Sequence, residues 1–500
     1  MIRVSAAIGL FTFALTTAAQ ADLVISTAPT SNVHCRPDGT CKAKAADAVL
    51  NVDQLQSLLA SGDVKVKTKS SGIAIAAPLT WTSSNKLALD TQGNLSVDAP
   101  VVVEGRGKLT IRDRELLFSS AGRIDFWDTQ SRLFIVNLMY NSGNGHYTLV
   151  RDLPSLAAGV AAHPLFGLFA LTADYDAGPD GTYPGAVVPT TLTGGGFEGL
   201  NHTISNLSAG GGLFASTIQN SSLRDIHLAN VNIAAGDNAT VGALVGSITG
   251  VVTHVSAQGH LSAGANSTAA GLVGSVTGTI ADVSAAVTVA AGSESCGAGL
   301  LGGGKWDEWL YVVSFAHATG DVSVGAKSVA GGLACSVQGK VTQSWASGNV
   351  STDHTQNQHT LGGLIGSLYS DDLSNSYALG NVTSAGGRDW NGGLIGNVEA
   401  ADVRSAYSIG TVQIGGAARD RIARVGAFFG RAVNITSAKD YFDRDTAGIA
   451  EACGSVCHGI IGLSDAALKT GLPNGFDPAI WGQSPSVNNG YPYLLANPPQ

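Results

Sequence analysis

Charge is scarce in this chain. Only 13% of its 500 residues are Asp, Glu, Lys or Arg, and the 28 Lys and Arg are outnumbered by 37 Asp and Glu. No run of basic residues interrupts the net charge of −9, which excludes the clustered Lys and Arg of a nucleic-acid groove. Low charge by itself would suit disorder, but disorder also requires low hydrophobicity. Here 44% of residues are hydrophobic, enough for a continuous core. Past the N-terminus no stretch reaches ~18 uninterrupted apolar residues, so the sequence predicts no membrane span. No Ser-His-Asp set, phosphate loop or dinucleotide fingerprint stands out.

The N-terminus reads as a secretory signal: Arg3, an apolar stretch from Ala6 to Leu15, then Ala19-Gln20-Ala21 as the small-x-small cleavage site. The expectation is a signal peptide over residues 1–21 and an exported mature chain, at the cell surface, in the medium or in the periplasm. Six cysteines suit an oxidising compartment. Cys35 with Cys41, and Cys453 with Cys457, are close enough to staple local loops. Cys296 and Cys335 occupy different offsets in their repeats, which disfavours a bridge and leaves two buried thiols as the other reading.

What the chain has in abundance is glycine, 65 residues, much of it in one phrase written eight times. The phrase runs from Gly211-Gly212-Leu213-Phe214-Ala215 to Gly426-Ala427-Phe428-Phe429-Gly430. Its central apolar residues are Leu213, Leu244, Leu272, Leu300, Leu333, Leu364, Leu394 and Phe428, spaced by 31, 28, 28, 33, 31, 30 and 34 residues. A period of this size predicts a stacked solenoid. Small residues stand at −2 and +2 from each centre, and the phrase reads as one strand with Gly and Leu sharing a face. A second strand opens with Leu223, Val252, Ile280, Val341, Leu373, Val403 or Ile435. A third begins with Gly, as in Gly348-Asn349-Val350 and Gly380-Asn381-Val382. Three short strands per ~30 residues predict an all-β fold, a parallel β-helix of about 38 Å for eight coils at ~4.8 Å each. Val52 to Ala60 and Leu153 to Ala162 read as short helices in the N-terminal part.

The phrase resembles the GLUG-motif repeat family. So do the lead-in Phe197-Glu198-Gly199-Leu200-Asn201-His202-Thr203-Ile204 and the ending Asp440-Tyr441-Phe442-Asp443 … Gly490-Tyr491-Pro492-Tyr493-Leu494. The segment from Asn51 to about Asp128 resembles filamentous-haemagglutinin-type β-helix through Leu87-Ala88-Leu89, Leu95-Ser96-Val97, Val101-Val102-Val103 and Leu109-Thr110-Ile111. The implied organisation is a β-helical N-terminal region over 22–196, the repeats over 197–437 and a cap on the open end over 438–500. The resemblance implies a secreted or surface-exposed, non-enzymatic protein acting in adhesion or surface interaction, with a glycan or protein on a cell surface as partner. Alternatives are a polysaccharide lyase or glycoside hydrolase on a β-helix scaffold, and a structural spacer of a surface assembly. An enzyme predicts converging carboxylates or Arg residues on successive coils.

Four sets of residues carry candidate chemistry. Asp372 and Asp402 sit eight residues past their centres and should stack about 4.8 Å apart, near the ~5–5.5 Å carboxyl separation of retaining glycosidases. Each precedes an inward apolar residue, so each should point into water. Trp306-Asp307-Glu308-Trp309 form an insertion suited to contacting a sugar or protein. Asp174, Asp176 and Asp180 offer oxygen ligands of the kind Ca²⁺ takes, at a spacing unlike an EF-hand. Trp345, Tyr377, Tyr407 and Tyr441 recur in the second strand, either as a sugar-stacking ladder or, the favoured reading, as a stack inside the core. His354 and His359 share a loop but are too isolated for a metal site.

Overall fold

The computed structural model describes residues 21–499 except 70–71, 141, 304–310, 356–357, 370–371, 387–388 and 416–423. The signal peptide expected over 1–21 lies outside these residues apart from Ala21, which begins the first strand, Ala21–Ser26. Strands dominate, and the fold is all-β with few helices. Helix α1 is Val52–Ser61, α2 is Leu153–Ala162 and α3 is Asp465–Lys469. Each starts where a side chain satisfies an otherwise unpaired backbone donor: Asn51 accepts from the Gln54 N–H, Asp152 from Ser155 and Ser464 from Ala467. Val52, Leu55 and Leu59 form the buried face of α1. Among the described residues no helix is long and apolar enough to cross a membrane.

The strands of the repeat pair in parallel, each with the strand one repeat later. One such row is Val245, Val273, Leu301, Ala334, Ile365, Ile395 and Phe429. A separate seven-stranded sheet runs from Thr240–Gly242 to Arg424–Gly426. Before the repeats the steps are shorter, as in Val64, Leu87, Leu109 and Leu133. The pairing is mixed overall. Val33–Cys35 with Thr40–Ala43, Arg132–Asn137 with Gly145–Val150, and Trp481–Gly482 with Tyr493–Leu494 are antiparallel. Apolar side chains from Val150 to Cys453 form one continuous core, and a second core serves the N-terminal strands.

The glycine phrase is not one strand. A strand ends at position −2 (Gly331, Gly362, Gly392) and a new one starts at +1 (Ala334, Ile365, Ile395), so the central Leu lies at a corner between them. Leu333, Leu364 and Leu394 are fully buried, as are Ala334, Ile365 and Ile395 beside them. Both positions therefore fill one core instead of opposite faces. The corner also explains the small residues. A Cβ on Gly362 would stand 1.9 Å from the Ile365 carbonyl oxygen, across the corner. A Cβ on Gly366, at +2, would meet the Val329 side chain of the preceding repeat at 2.7 Å.

Candidate functional site

That last contact places the cysteines. Position +2 of one repeat faces position −4 of the repeat before it, and Cys335 and Cys296 occupy those two places. They form a disulfide with Cα atoms 5.7 Å apart, correcting the reading of two buried thiols. Offsets that do not align along a straight strand do meet across a corner. Cys35–Cys41 and Cys453–Cys457 are also bridged.

Asp372 and Asp402 are partners in register on adjacent parallel strands. Asp372 is exposed, Asp402 pairs with Arg404 two residues on, and the next position in the row is Thr436. The Trp306, Asp307, Glu308 and Trp309 insertion lies outside the described residues. Asp174, Asp176 and Asp180 do not converge. Asp174 accepts from the Thr203 N–H at 2.8 Å, and the His202 ring approaches it at 3.4 Å. Asp176 accepts from Gly178 and Asn206, and Asp180 from the hydroxyls of Tyr175 and Tyr183. Among the described residues no group of three His, Cys, Asp or Glu side chains could hold a metal ion. One carboxylate oxygen of Asp174, one of Asp176 and both of Asp180 thus accept bonds from protein donors.

The aromatic ladder is buried, but in a cluster apart from the main core. His317, Trp345, Tyr377, Tyr407 and Tyr441 share one row. The first four rings stack nearly parallel, with centroids 4.6, 5.7 and 4.9 Å apart. They pack in a cluster separate from the main core, against Leu468, Phe476, Trp481, Tyr491 and Leu494. The C-terminal segment thus runs back along the outside of the repeats instead of only closing their end. Tyr441 donates to the Asn474 carbonyl, Tyr407 to Pro492 and the Trp345 indole to Asn497. These three polar ends bond main-chain oxygens of the segment, as a buried Tyr or Trp usually requires, whereas the buried Tyr377 hydroxyl has no partner among the described residues.

A cluster of ionisable groups that the sequence reading missed lies between the N-terminal strands and the first repeats. Asp225, His254 and Asp282 stand at matching left-handed corners of three successive repeats, with φ of 54°, 53° and 53°. His254 lies 3.3 Å from Asp225 through Nδ1 and 3.7 Å from Glu115 through Nε2. Burial alone would lower its pKa. The carboxylates of Asp225, Asp282 and Glu115 outweigh burial and raise it to about 9. Beneath, buried Arg224 approaches Glu198 at 3.6 Å and donates to the Tyr147 hydroxyl at 3.4 Å. Asp113 is wholly buried with both carboxyl oxygens unpartnered. Burial pushes it up to about 7, against the pull of Arg224. Asn201 and His202 extend the joint by bonding the carbonyls of Gly122 and Ile124. The signal was present in the sequence as charged residues at matching offsets, but only the corner geometry identifies that offset as special.

Two surface depressions complete the picture. A groove of about 590 Å³ follows the phrase corners, lined by Thr240 and Thr268 on one side and Ser247, Ser275, Ser336 and Ser367 on the other. The disulfide Cys296–Cys335 forms part of its floor. A cleft of about 640 Å³ lies where the aromatic ladder ends at His317.

No family model matches the chain, and no curated protein matches it. A solved structure from Bacteroides ovatus, described as a proposed immunoglobulin A1 protease, is similar over 70% of this chain and 92% of its own. The identity is 14% and the TM-score 0.40.

Proposed function

We propose that this chain is an exported parallel β-helix of the GLUG type, with a haemagglutinin-like N-terminal region over 22–196 and repeats over 197–437. It acts in adhesion or surface interaction, and its partner is a glycan or protein on a cell surface. The observation that carries this reading is the groove lined by Ser247, Ser275, Ser336, Ser367, Thr240 and Thr268. Ser247 stands beside Ser275 and Ser336 beside Ser367, with Gly303 between the two pairs, so small hydroxyl side chains recur along a surface suited to an extended polymer. Binding of the purified mature chain to a glycan panel and to intact cells tests it. Ser275→Trp with Ser336→Trp, which fill the groove, should weaken binding by about tenfold or more. Unchanged binding would remove the groove as the contact surface.

A second reading, polysaccharide cleavage, is favoured by one observation. Asp225, His254 and Asp282 fall on successive repeats and meet Glu115. We nevertheless favour a structural role for this cluster, because Asp225, Arg224, Glu198 and Asp113 are buried and Arg224 pairs with Glu198 within the protein. Release of oligosaccharides by the wild type that disappears in His254→Ala would overturn the non-enzymatic reading.

A further inference from the structure

The row that carries the aromatic ladder continues past it. Its members in order are His227, Ser256, Ser284, His317, Trp345, Tyr377, Tyr407 and Tyr441. From Tyr407 to His317 each position holds a ring stacked on the next. At Ser284 the rings stop. One face of the His317 imidazole lies on Trp345, with centroids 4.6 Å apart and planes 1° from parallel. Its other face looks along the row toward Ser284, whose short side chain leaves the next ring position unfilled. The covering C-terminal segment is anchored at the same place: Asn497 donates to the carbonyls of Ala316 and Gln343 and meets His317 at 2.9 Å. The cleft at this break has a volume of about 640 Å³, within the ~300–1,000 Å³ range of small-molecule sites.

We propose that this cleft binds a neutral saccharide, with a pyranose ring continuing the stack on the free face of His317. The inference rests on the surface-interaction reading and names a ligand class and a second contact site for it. The lining explains the choice of ligand. Among the described residues that line the cleft none is acidic, Lys or Arg. Ser284, Thr319, Ser347 and Asn489 offer hydroxyls and an amide around an aromatic and aliphatic wall, while the Asn488 amide is committed to the Tyr407 hydroxyl and the Pro492 carbonyl. A ring with an apolar C–H face and equatorial hydroxyls matches such a site, whereas a charged ligand would find no counter-ion. Burial lowers the His317 pKa, although the Asn497 side chain opposes this, so a neutral imidazole meets the ligand. A neutral aromatic ring is the better stacking partner for C–H groups.

The test is titration of the full mature chain with neutral hexasaccharides (β-1,4-glucan, α-1,4-glucan, β-1,3-glucan, β-1,4-xylan), followed by calorimetry and by indole fluorescence. Saturable binding to at least one is expected. Ser284→Phe, which places a protein ring in the vacant position, should weaken it by about tenfold or more, and His317→Ala by a similar factor. His317→Phe should retain most of it, since the stack is kept. Thermal melts and far-ultraviolet spectra matching the wild type keep the comparison valid. Wild-type affinity in Ser284→Phe overturns the proposal, as does the absence of binding to all four oligosaccharides. If saccharide or cell binding persists in Ser284→Phe but is lost on filling the serine groove, only this site fails. If neither cells nor glycans bind the wild type, the surface-interaction reading fails with it.

Discussion

At the scale of single residues, the repeat phrase is set by what two strands meeting at a corner leave room for. Position +2 touches position −4 of the preceding repeat, and two kinds of residue satisfy that contact. Gly366 leaves space for Val329, and Cys335 forms a bond with Cys296. Gly366→Leu should therefore destabilise the chain by about 1–3 kcal/mol through overpacking, read as a lower denaturation midpoint. Breaking the bridge with Cys296→Ser and Cys335→Ser together removes a constraint on a 39-residue separation. In the chain-entropy limit that is worth about 4 kcal/mol. The loss should be visible as a lowered melting temperature in the oxidised protein, and should vanish when both proteins are compared under reducing conditions. The phrase was legible as a repeat, but its use as a corner was not. A small-apolar-apolar-small pattern fits a straight strand as well as a bend, and residue type alone does not record chain direction.

At the scale of elements, the C-terminal segment and the aromatic ladder depend on each other. Trp345, Tyr377 and Tyr407 face away from the main core, and without Phe476, Trp481 and Tyr491 they would stand in water. Trp481 is almost wholly buried, contacts Tyr377 and Tyr407, and donates to Asn375. Trp481→Ala should cost about 3–5 kcal/mol locally. The expected consequence is faster hydrogen exchange over residues 464–499 and binding of a hydrophobic dye, with exchange in Ile365–Tyr369 and Ile395–Glu399 little changed. Equal loosening of both regions would show instead that segment and repeats unfold as one unit. The aromatic residues were evident from the sequence, and their shared offset placed them in one row. Which side of the strand they occupy was not evident, because alternation along a strand of two described residues, Tyr377–Ala378, carries too little pattern to orient it.

At the scale of the whole molecule, the joint between the N-terminal strands and the first repeats makes stability depend on pH. His254 has a pKa raised to about 9 from an ordinary 6.5, so its contribution is complete below about pH 6.5 and is lost as pH rises through 9. Asp113 is raised to about 7 from 3.8, so the folded state favours its protonated form. That contribution is complete below about pH 3.8 and is lost as pH rises through 7. Both groups act in the same direction, and the melting temperature should fall between pH 4 and pH 9. His254→Gln should flatten the portion between pH 7 and 9, and Asp113→Asn the portion between pH 4 and 7. A wild-type melting temperature that rose across this window would show that other groups dominate the joint.

Spacing by itself determined that strands recur every 28–34 residues and that they stack in register. One apolar pattern repeated eight times can bury itself only against its own copies. It also placed Asp372 opposite Asp402 and the ladder aromatics in one row, since equal offsets from equal centres align. Only the tertiary structure decided that the phrase bends, that Cys296 reaches Cys335, and that the C-terminal segment lies over the ladder. It alone brought Glu115 to His254 and Tyr147 to Arg224. These are contacts between unequal offsets or between distant segments. A periodic pattern fixes position along the stack, but it leaves open which neighbour approaches from the side.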